Sequence, residues 1–207
     1  MQIDFIFIIA ILIMSVVIHE VSHGYVAYML GDPTAKLAGR LTLNPMSHID
    51  LLGSIVVPLL MYLSTGFIIG WAKPVPYNPY NLKNQRWGIA LVGAAGALSN
   101  FLLAIVFGLF IRFGDLLHLP GPFLEIFIII VVLNILLGVF NLLPVPPLDG
   151  SKVFFSLLPY RLLYIQDFLE RHWLFFIFIV IFFAWRIIIP VVGALFSLIT
   201  GLPLTGF

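Results

Sequence analysis

The sequence predicts an all-α integral membrane protein, a multi-pass helical bundle with short strand-like re-entrant stretches near a buried polar site. Three observations predict it. The 207-residue chain is 62% hydrophobic and 9% charged, with a mean hydropathy of +1.16, whereas a soluble domain carries roughly 25% charged residues. Its apolar runs approach the ~20 residues needed to cross a bilayer core, and their number suggests about 4–6 membrane segments. Between the runs lie stretches rich in proline and asparagine, which do not continue a helix. Residues 1–207 read as a single domain, without internal repeat or low-complexity tract. The net charge of +1 points to no polyanionic partner, so nucleic acid is not expected. The absence of cysteine excludes disulfides and cysteine-rich metal sites.

The first element spans residues 5–30, with "FIFIIAILIMSVVI" free of charge, Gly31 as its C-terminal cap and Asp32-Pro33 closing it. It has no basic leader and no small-residue cleavage site, so it reads as a retained membrane helix. In the polar stretch that follows, Leu41, Thr42, Leu43 and Asn44 alternate like a short strand, and Asn44-Pro45 signals a turn. A second apolar run covers residues 51–69, with Pro58 near its middle. "GWAKPVPYNPYNLKNQR" reads as extended chain. Further helices are expected at 87–113 and 123–143, the latter ending in the proline-rich "NLLPVPPLDG". A mixed interfacial segment comes next, then an apolar run at 173–199 interrupted by Arg186 and Pro190. Lys36 and Arg40 flank one end of the 51–69 run, and Lys73, Lys83 and Arg86 the other. Basic flanks prefer the cytosolic side, which a single crossing cannot satisfy twice, so 51–69 reads as re-entrant.

The first helix contains "VVIHEVSHGYVAYMLG". On a helix, i and i+4 share a face, so His19 and His23 can both direct an imidazole nitrogen at one metal ion. This is the zinc arrangement of helix-borne metalloproteases. Glu20 is then placed to take a proton from metal-bound water, whose pKa zinc lowers to about 7. Packed or hydrogen-bonded histidines are the ordinary alternative. Ionisable groups near the bilayer centre cost on the order of 2.5–3.5 kcal/mol each, however, so three together call for a function. His19 lies roughly 16 Å along the helix from Leu30, about half the depth of a hydrocarbon core.

A zinc site of this kind needs a third protein ligand and an open position. His118 and His172 read as boundary histidines, while His48 in "NPMSHID" is a candidate. Asp149 in "NLLPVPPLDG" is the better one. The prolines break the helix at membrane depth, where irregular backbone survives only if protein buries it or it lines a cavity. Its ordinary reading is a helix N-cap. Asn100, beside the small residues Gly93, Ala94, Ala95, Gly96 and Ala97, can also be read as glue between closely packed helices.

Together these residues resemble the site-2 protease family of intramembrane zinc metalloproteases, in its compact prokaryotic branch without PDZ or CBS domains. The resemblance runs from Val17 to about Lys152. It rests on "HEVSHGYVAYMLGDPTAKLAGRLTLNPMSHIDLLGS", "GWAKPVPYNPYNLKNQR", "GALSN" and "FNLLPVPPLDGSKV". It implies one zinc per chain, held by His19, His23 and Asp149, with Glu20 as catalytic base. It also implies that Asn100 stands near the metal, where its amide N–H stabilises an oxyanion or holds substrate backbone. Asn141 is a weaker candidate for the surroundings of the site. Many relatives carry Gly-Pro before "LSN", whereas Gly96 is followed here by Ala97.

The expected activity is hydrolysis of a peptide bond in or near a transmembrane segment of a membrane-protein substrate, in the cell membrane of a prokaryote. Such a substrate arrives helical and must be received as extended chain. "GRLTLNP" and "GWAKPVPYNP" could offer a sheet edge for strand addition. The alternative is a membrane transporter for a metal ion or protons. It predicts ionisable groups spread through the depth of several helices, whereas here they concentrate at His19–His23 and Asp149.

Overall fold

The computed structural model describes residues 5–65 and 70–204. Nine α-helices form among them: α1 (Phe5–Met29), α2 (Thr34–Leu37), α3 (Val57–Thr65), α4 (Gln85–Arg112), α5 (Gly121–Asn141), α6 (Asp149–Leu157), α7 (Leu163–Arg171), α8 (Trp173–Phe183) and α9 (Trp185–Thr200). Three of them, α1, α4 and α5, are long and apolar enough to cross a membrane. The bent pair α8–α9 would make a fourth span. This is the low end of the expected number of crossings, because residues 51–65 do not form a helix of membrane-spanning length.

α4 is the central element and packs against α1, α5, α6 and α9. Its buried face is Gly88, Ala90, Val92, Gly93, Ala95, Gly96, Ala97, Asn100, Ala104, Gly108 and Ile111. Small residues on this face let neighbouring backbones approach closely, which is how helices gain contact where lipid is as apolar as leucine. The main apolar core lies between α4, α5 and α9, around Ala104, Val131, Ile135, Ile188, Val192 and Phe196. Large apolar side chains such as Ile6, Leu102, Phe178 and Leu198 face outward, as they do when the solvent is lipid.

The second apolar run is re-entrant in shape. Leu51–Val56 wind as a π-helical turn and α3 follows, together shorter than the ~20 residues of a bilayer crossing. The chain then returns to where it left. Trp71 N–H donates to Gly53 O at 3.0 Å, Ser54 Oγ–H donates to Trp71 O at 2.9 Å, and Trp71 Nε1–H donates to Asp50 Oδ2 at 3.1 Å. The ends of this excursion are therefore adjacent, and its two basic flanks need not lie on opposite sides. Residues 66–69 lie outside the described residues.

Residues 40–44 and 70–78 are extended, as their alternation and prolines predict, but no strand forms among the described residues. Both segments close on α1 at Gly24. A Cβ there would stand 2.6 Å from Leu41 Cδ2 and 2.7 Å from Val75 Cγ1. The break in the last apolar run falls at Ala184, with a 59° bend, and not at Arg186 or Pro190. Pro190 sits inside α9. Its ring cannot accept the normal approach of the carbonyl four residues earlier, so the kink is displaced upstream.

A buried carboxylate ties the end of α1 to the second extended segment. Asp32 is fully buried. It accepts hydrogen bonds from Asn78 N–H at 2.6 Å, Asn81 Nδ2–H at 2.8 Å, and the Thr34 hydroxyl and N–H at 2.5 and 3.2 Å. Burial disfavours the charged form, but the Thr34 hydroxyl, Asn81 amide, Asn78 N–H and Thr34 N–H outweigh it and hold the carboxyl below its ordinary range. Asp32→Ala leaves these donors without their acceptor and should destabilise the fold by about 2 kcal/mol. The carboxyl titrates lower in the folded chain than in the unfolded one. Its contribution is therefore complete above the ordinary aspartate pKa of about 3.9 and is lost as pH falls from there through the folded value. Thermal unfolding in detergent at pH 7 and pH 3 measures this. The parent should lose stability on acidification, and Asp32→Ala should lose less.

Candidate active site

α1 carries His19, Glu20 and His23 in its C-terminal half. Asp149 is the first residue of α6 and does not cap it. The backbone arrives at Asp149 through the irregular Leu142–Leu148 stretch. A Cβ at Gly150 would collide with the Leu142 carbonyl, so only glycine lets α6 start so close beneath the end of α5. His19, His23 and Asp149 are buried, at 6%, 7% and 7% exposure. They are the group of potential metal ligands among the described residues, their ligand atoms all within 4.8 Å of one another.

Each histidine ring is held from behind in one tautomer. His23 Nδ1 lies 2.6 Å from Val92 O. A carbonyl only accepts, so Nδ1 carries a proton, and in the neutral ring Nε2 keeps its lone pair. His19 is fixed through a longer chain that begins at another carbonyl. Asn134 Nδ2–H donates to Ile130 O at 2.8 Å and to Ser15 Oγ at 2.9 Å, which assigns the nitrogen of that amide. Asn134 Oδ1 then accepts from Asn100 Nδ2–H at 2.8 Å. Asn100 Oδ1 is left to accept from His19 Nδ1–H at 2.6 Å.

Both Nε2 lone pairs thus face Asp149 Oδ2, each at 3.0 Å. With both rings neutral, three electron-rich atoms converge here, and a cation bound among them relieves their repulsion. Two imidazoles and one carboxylate are a zinc donor set, with a fourth position left for water. The floor of this cradle is Gly96, where a Cβ would fall 2.5 Å from the Nε2 atoms of both histidines. The residues present fit a zinc ion.

Glu20 is half-buried, and its Oε2 accepts from Val75 N–H at 2.9 Å. Val75 stands between Pro74 and Pro76, so this is the one N–H of that tripeptide, and it is turned toward the carboxylate. The other oxygen of Asp149, Oδ1, accepts from Lys152 Nζ at 2.8 Å.

Not every candidate from the sequence joins the cluster. His48 is buried and donates through Nε2 to Thr42 O at 2.9 Å. His118 stands in the turn between α4 and α5 with φ +52. His172 is exposed at the α7–α8 junction, bonded to Phe168 O. Asn141 donates within its own helix to Leu137 O. Asn100 does reach the site, but both ends of its carboxamide are engaged and the residue is fully buried. In this arrangement it orients His19 and does not present a free N–H to a substrate. Sequence reasoning missed Ser15, Asn134, Val75 and Lys152. The one available signal was polarity on apolar helices, since Asn134 stands alone in "IFIIIVVLNILLGVF".

A deep two-histidine, one-carboxylate zinc cradle with an adjacent glutamate, inside a multi-pass helical membrane protein, defines a membrane zinc metallohydrolase. Comparison with known proteins narrows the class. The family model "Peptidase family M50" matches residues 114–185. The chain is 41% identical over 162 residues to "Putative zinc metalloprotease YwhC" of Bacillus subtilis (strain 168), covering 74% of this chain and 69% of that protein. It is 33% identical over 147 residues to "Putative zinc metalloprotease Rip2" of Mycolicibacterium smegmatis (strain ATCC 700084 / mc(2)155), covering 70% of this chain and 55% of that protein. It is 26% identical over 157 residues to "Zinc metalloprotease MJ0392" of Methanocaldococcus jannaschii, covering 76% of this chain and 36% of that protein. No solved structure matches. The chain belongs to peptidase family M50, the site-2 protease family of zinc metalloproteases.

Proposed function

We propose that this metalloprotease is an intramembrane endopeptidase of the cell membrane, hydrolysing a peptide bond in or near a transmembrane segment of a membrane-protein substrate. The observation that carries the reading is the depth of the cradle. His19 stands roughly 15 Å along α1 from Met29, and the candidate ligands from α1 and α6 meet against α4, the most enclosed of the three long apolar helices. A soluble substrate would have no reason to be met there. A transport pathway would need ionisable groups through the depth of the bundle. Among the described residues, the other buried carboxylate and guanidinium, Asp32 and Arg40, lie beyond the end of α1.

In this reading His19, His23 and Asp149 hold the zinc through Nε2, Nε2 and Oδ2. Zinc, when bound, lowers the pKa of a coordinated water to about 7 and polarises a carbonyl. Val92 O and the Asn100–Asn134 chain keep the imidazoles in the tautomer that can ligate. Glu20 accepts the proton released as water adds to the scissile carbonyl and delivers it to the leaving amine. Val75 N–H keeps the glutamate oxygen in place while it does so. The substrate backbone, unwound, lies along Arg40, Leu41, Thr42, Leu43 and Asn44. This edge is better suited than 70–78, where Pro74 and Pro76 carry no N–H and the Trp71, Lys73, Val75 and Asn78 N–H groups are already engaged by Gly53 O, His48 O, Glu20 and Asp32.

The test is a reconstituted cleavage assay with cleavage sites mapped by mass spectrometry and bound metal determined in the same preparation. The parent should carry about one zinc per chain and cut within, or a few residues from, the transmembrane segment. Asp149→Ala should lose most of the zinc and the cleavage together. Leu43→Pro, placed in the proposed substrate edge, should keep the zinc and cut more slowly. A zinc-loaded parent that cuts only in regions far from the bilayer would overturn the intramembrane reading.

A further inference from the structure

We propose that Lys152 is a positioning residue for the metal-binding carboxylate. It holds Asp149 by Oδ1, so that the aspartate offers the cradle one oxygen, Oδ2, in a fixed orientation. The inference deepens the zinc reading and rests on it. Three independent features of the structure support it.

The first is the division of labour between the two carboxylate oxygens. Oδ2 is 3.0 Å from both histidine Nε2 atoms, and Oδ1 is 2.8 Å from Lys152 Nζ. A carboxylate with one oxygen already engaged by an ammonium ligates through the other, and its rotation about the Cβ–Cγ bond is stopped. Charge-assisted hydrogen bonds are short and roughly twice as strong as neutral ones, which suits them to this task.

The second is the confinement of the lysine stem. Lys152 and Asp149 are three residues apart on α6, so their side chains lie on one face. That face closes on α4 at Gly93, where a Cβ would stand 2.9 Å from Lys152 Cβ, 3.1 Å from Asp149 O and 3.5 Å from Lys152 Cδ. The stem is therefore wedged between two helices and cannot swing the ammonium away at little cost.

The third is the environment of the charge. The Asp149 side chain is 10% exposed and that of Lys152 35%. The lysine forms part of the wall of a cavity of about 490 Å³ that also touches Tyr77, Pro147, Ser151 and Phe155. Its Nζ lies 5.8 Å from the Tyr77 ring centroid, within cation–π range. One partner is buried against the metal cradle, while the other keeps access to an open cavity whose wall also carries Gln166 and Glu170. Partners behind metal ligands typically change affinity 10–100-fold when removed, and this pair has the geometry to do so.

The test uses the full chain in detergent, stripped of metal and titrated with zinc against a chromophoric chelator. Cobalt(II) absorption is recorded as a second readout. Lys152→Met keeps the stem volume and removes the charge. It should weaken zinc binding about 10–100-fold and change the cobalt d–d bands, because the freed carboxylate rotates. Lys152→Arg, which still donates to Oδ1, should recover most of the affinity and the parent spectrum. Lys152→Gln repeats the neutral comparison, so that loss of fold in one variant, seen by circular dichroism, leaves the other to decide. Parent-like affinity and an unchanged cobalt spectrum in a folded Lys152→Met or Lys152→Gln would overturn the proposal. A parent that binds no zinc would instead overturn the reading on which it rests.

Discussion

Glu20→Gln should abolish cleavage while leaving the zinc in place. Glu20 is not among the three converging ligand atoms, so its removal takes no donor from the metal. Its structural contact survives the substitution as well. Val75 N–H donates to Glu20 Oε2, and the glutamine side-chain oxygen accepts the same bond. What glutamine lacks is a carboxylate that can accept and pass on a proton. Proton transfer by a positioned side chain contributes about 10²–10⁴ in rate, so cleavage should fall by that factor, with unchanged metal content and unchanged thermal stability. Steady-state cleavage and bound zinc, measured on one preparation, decide it. A variant that keeps more than a tenth of the parent rate would remove Glu20 from the role of base. A variant that loses zinc along with activity would make it a ligand.

The placement of Glu20 beside the converging groups, and not among them, was readable in the sequence because it is a matter of helix geometry. His19 and His23 must share a face whatever the tertiary structure, and Glu20 must stand beside the first of them. Asp149 was readable for a related reason, since three prolines around an aspartate at membrane depth leave few structural roles for it. The two extended segments were legible as extended chain but not as unpaired chain, because alternation specifies backbone conformation and says nothing of partners. The roles of the remaining polar residues were not legible. Asn100 could be seen, but its role depends on Asn134, thirty-four positions away on α5. That in turn depends on how α4 and α5 cross. The tautomer of His19 is set by a backbone carbonyl, Ile130 O, on α5, a helix that carries none of the three converging groups. Contacts of this kind arise from packing between small-residue faces, and one-dimensional periodicity does not encode which faces meet.

Gly96→Ala should prevent zinc from binding even though it adds a single methyl group far from any ligand in sequence. The methyl would fall 2.5 Å from Nε2 of His19 and Nε2 of His23, between the lone pairs that the rest of the network works to expose. The rings cannot easily retreat, because each is tied by its Nδ1 proton to Asn100 or to Val92 O. Overpacking here carries a cost of about 1–3 kcal/mol against a helix-propensity gain of about 1 kcal/mol for replacing glycine by alanine. Stability therefore changes little, whereas the metal is excluded directly. Zinc affinity should fall by more than the 10–100-fold typical of removing a partner behind a ligand, and cleavage should disappear with it. Gly193→Ala on α9, where nothing lies within 4 Å of the added carbon, is the matched control. It should keep its zinc and melt at or slightly above the parent temperature. Gly96→Ala with parent-like zinc affinity would mean that the histidines ligate from another ring orientation, and the fixed-tautomer account of the cradle would fail.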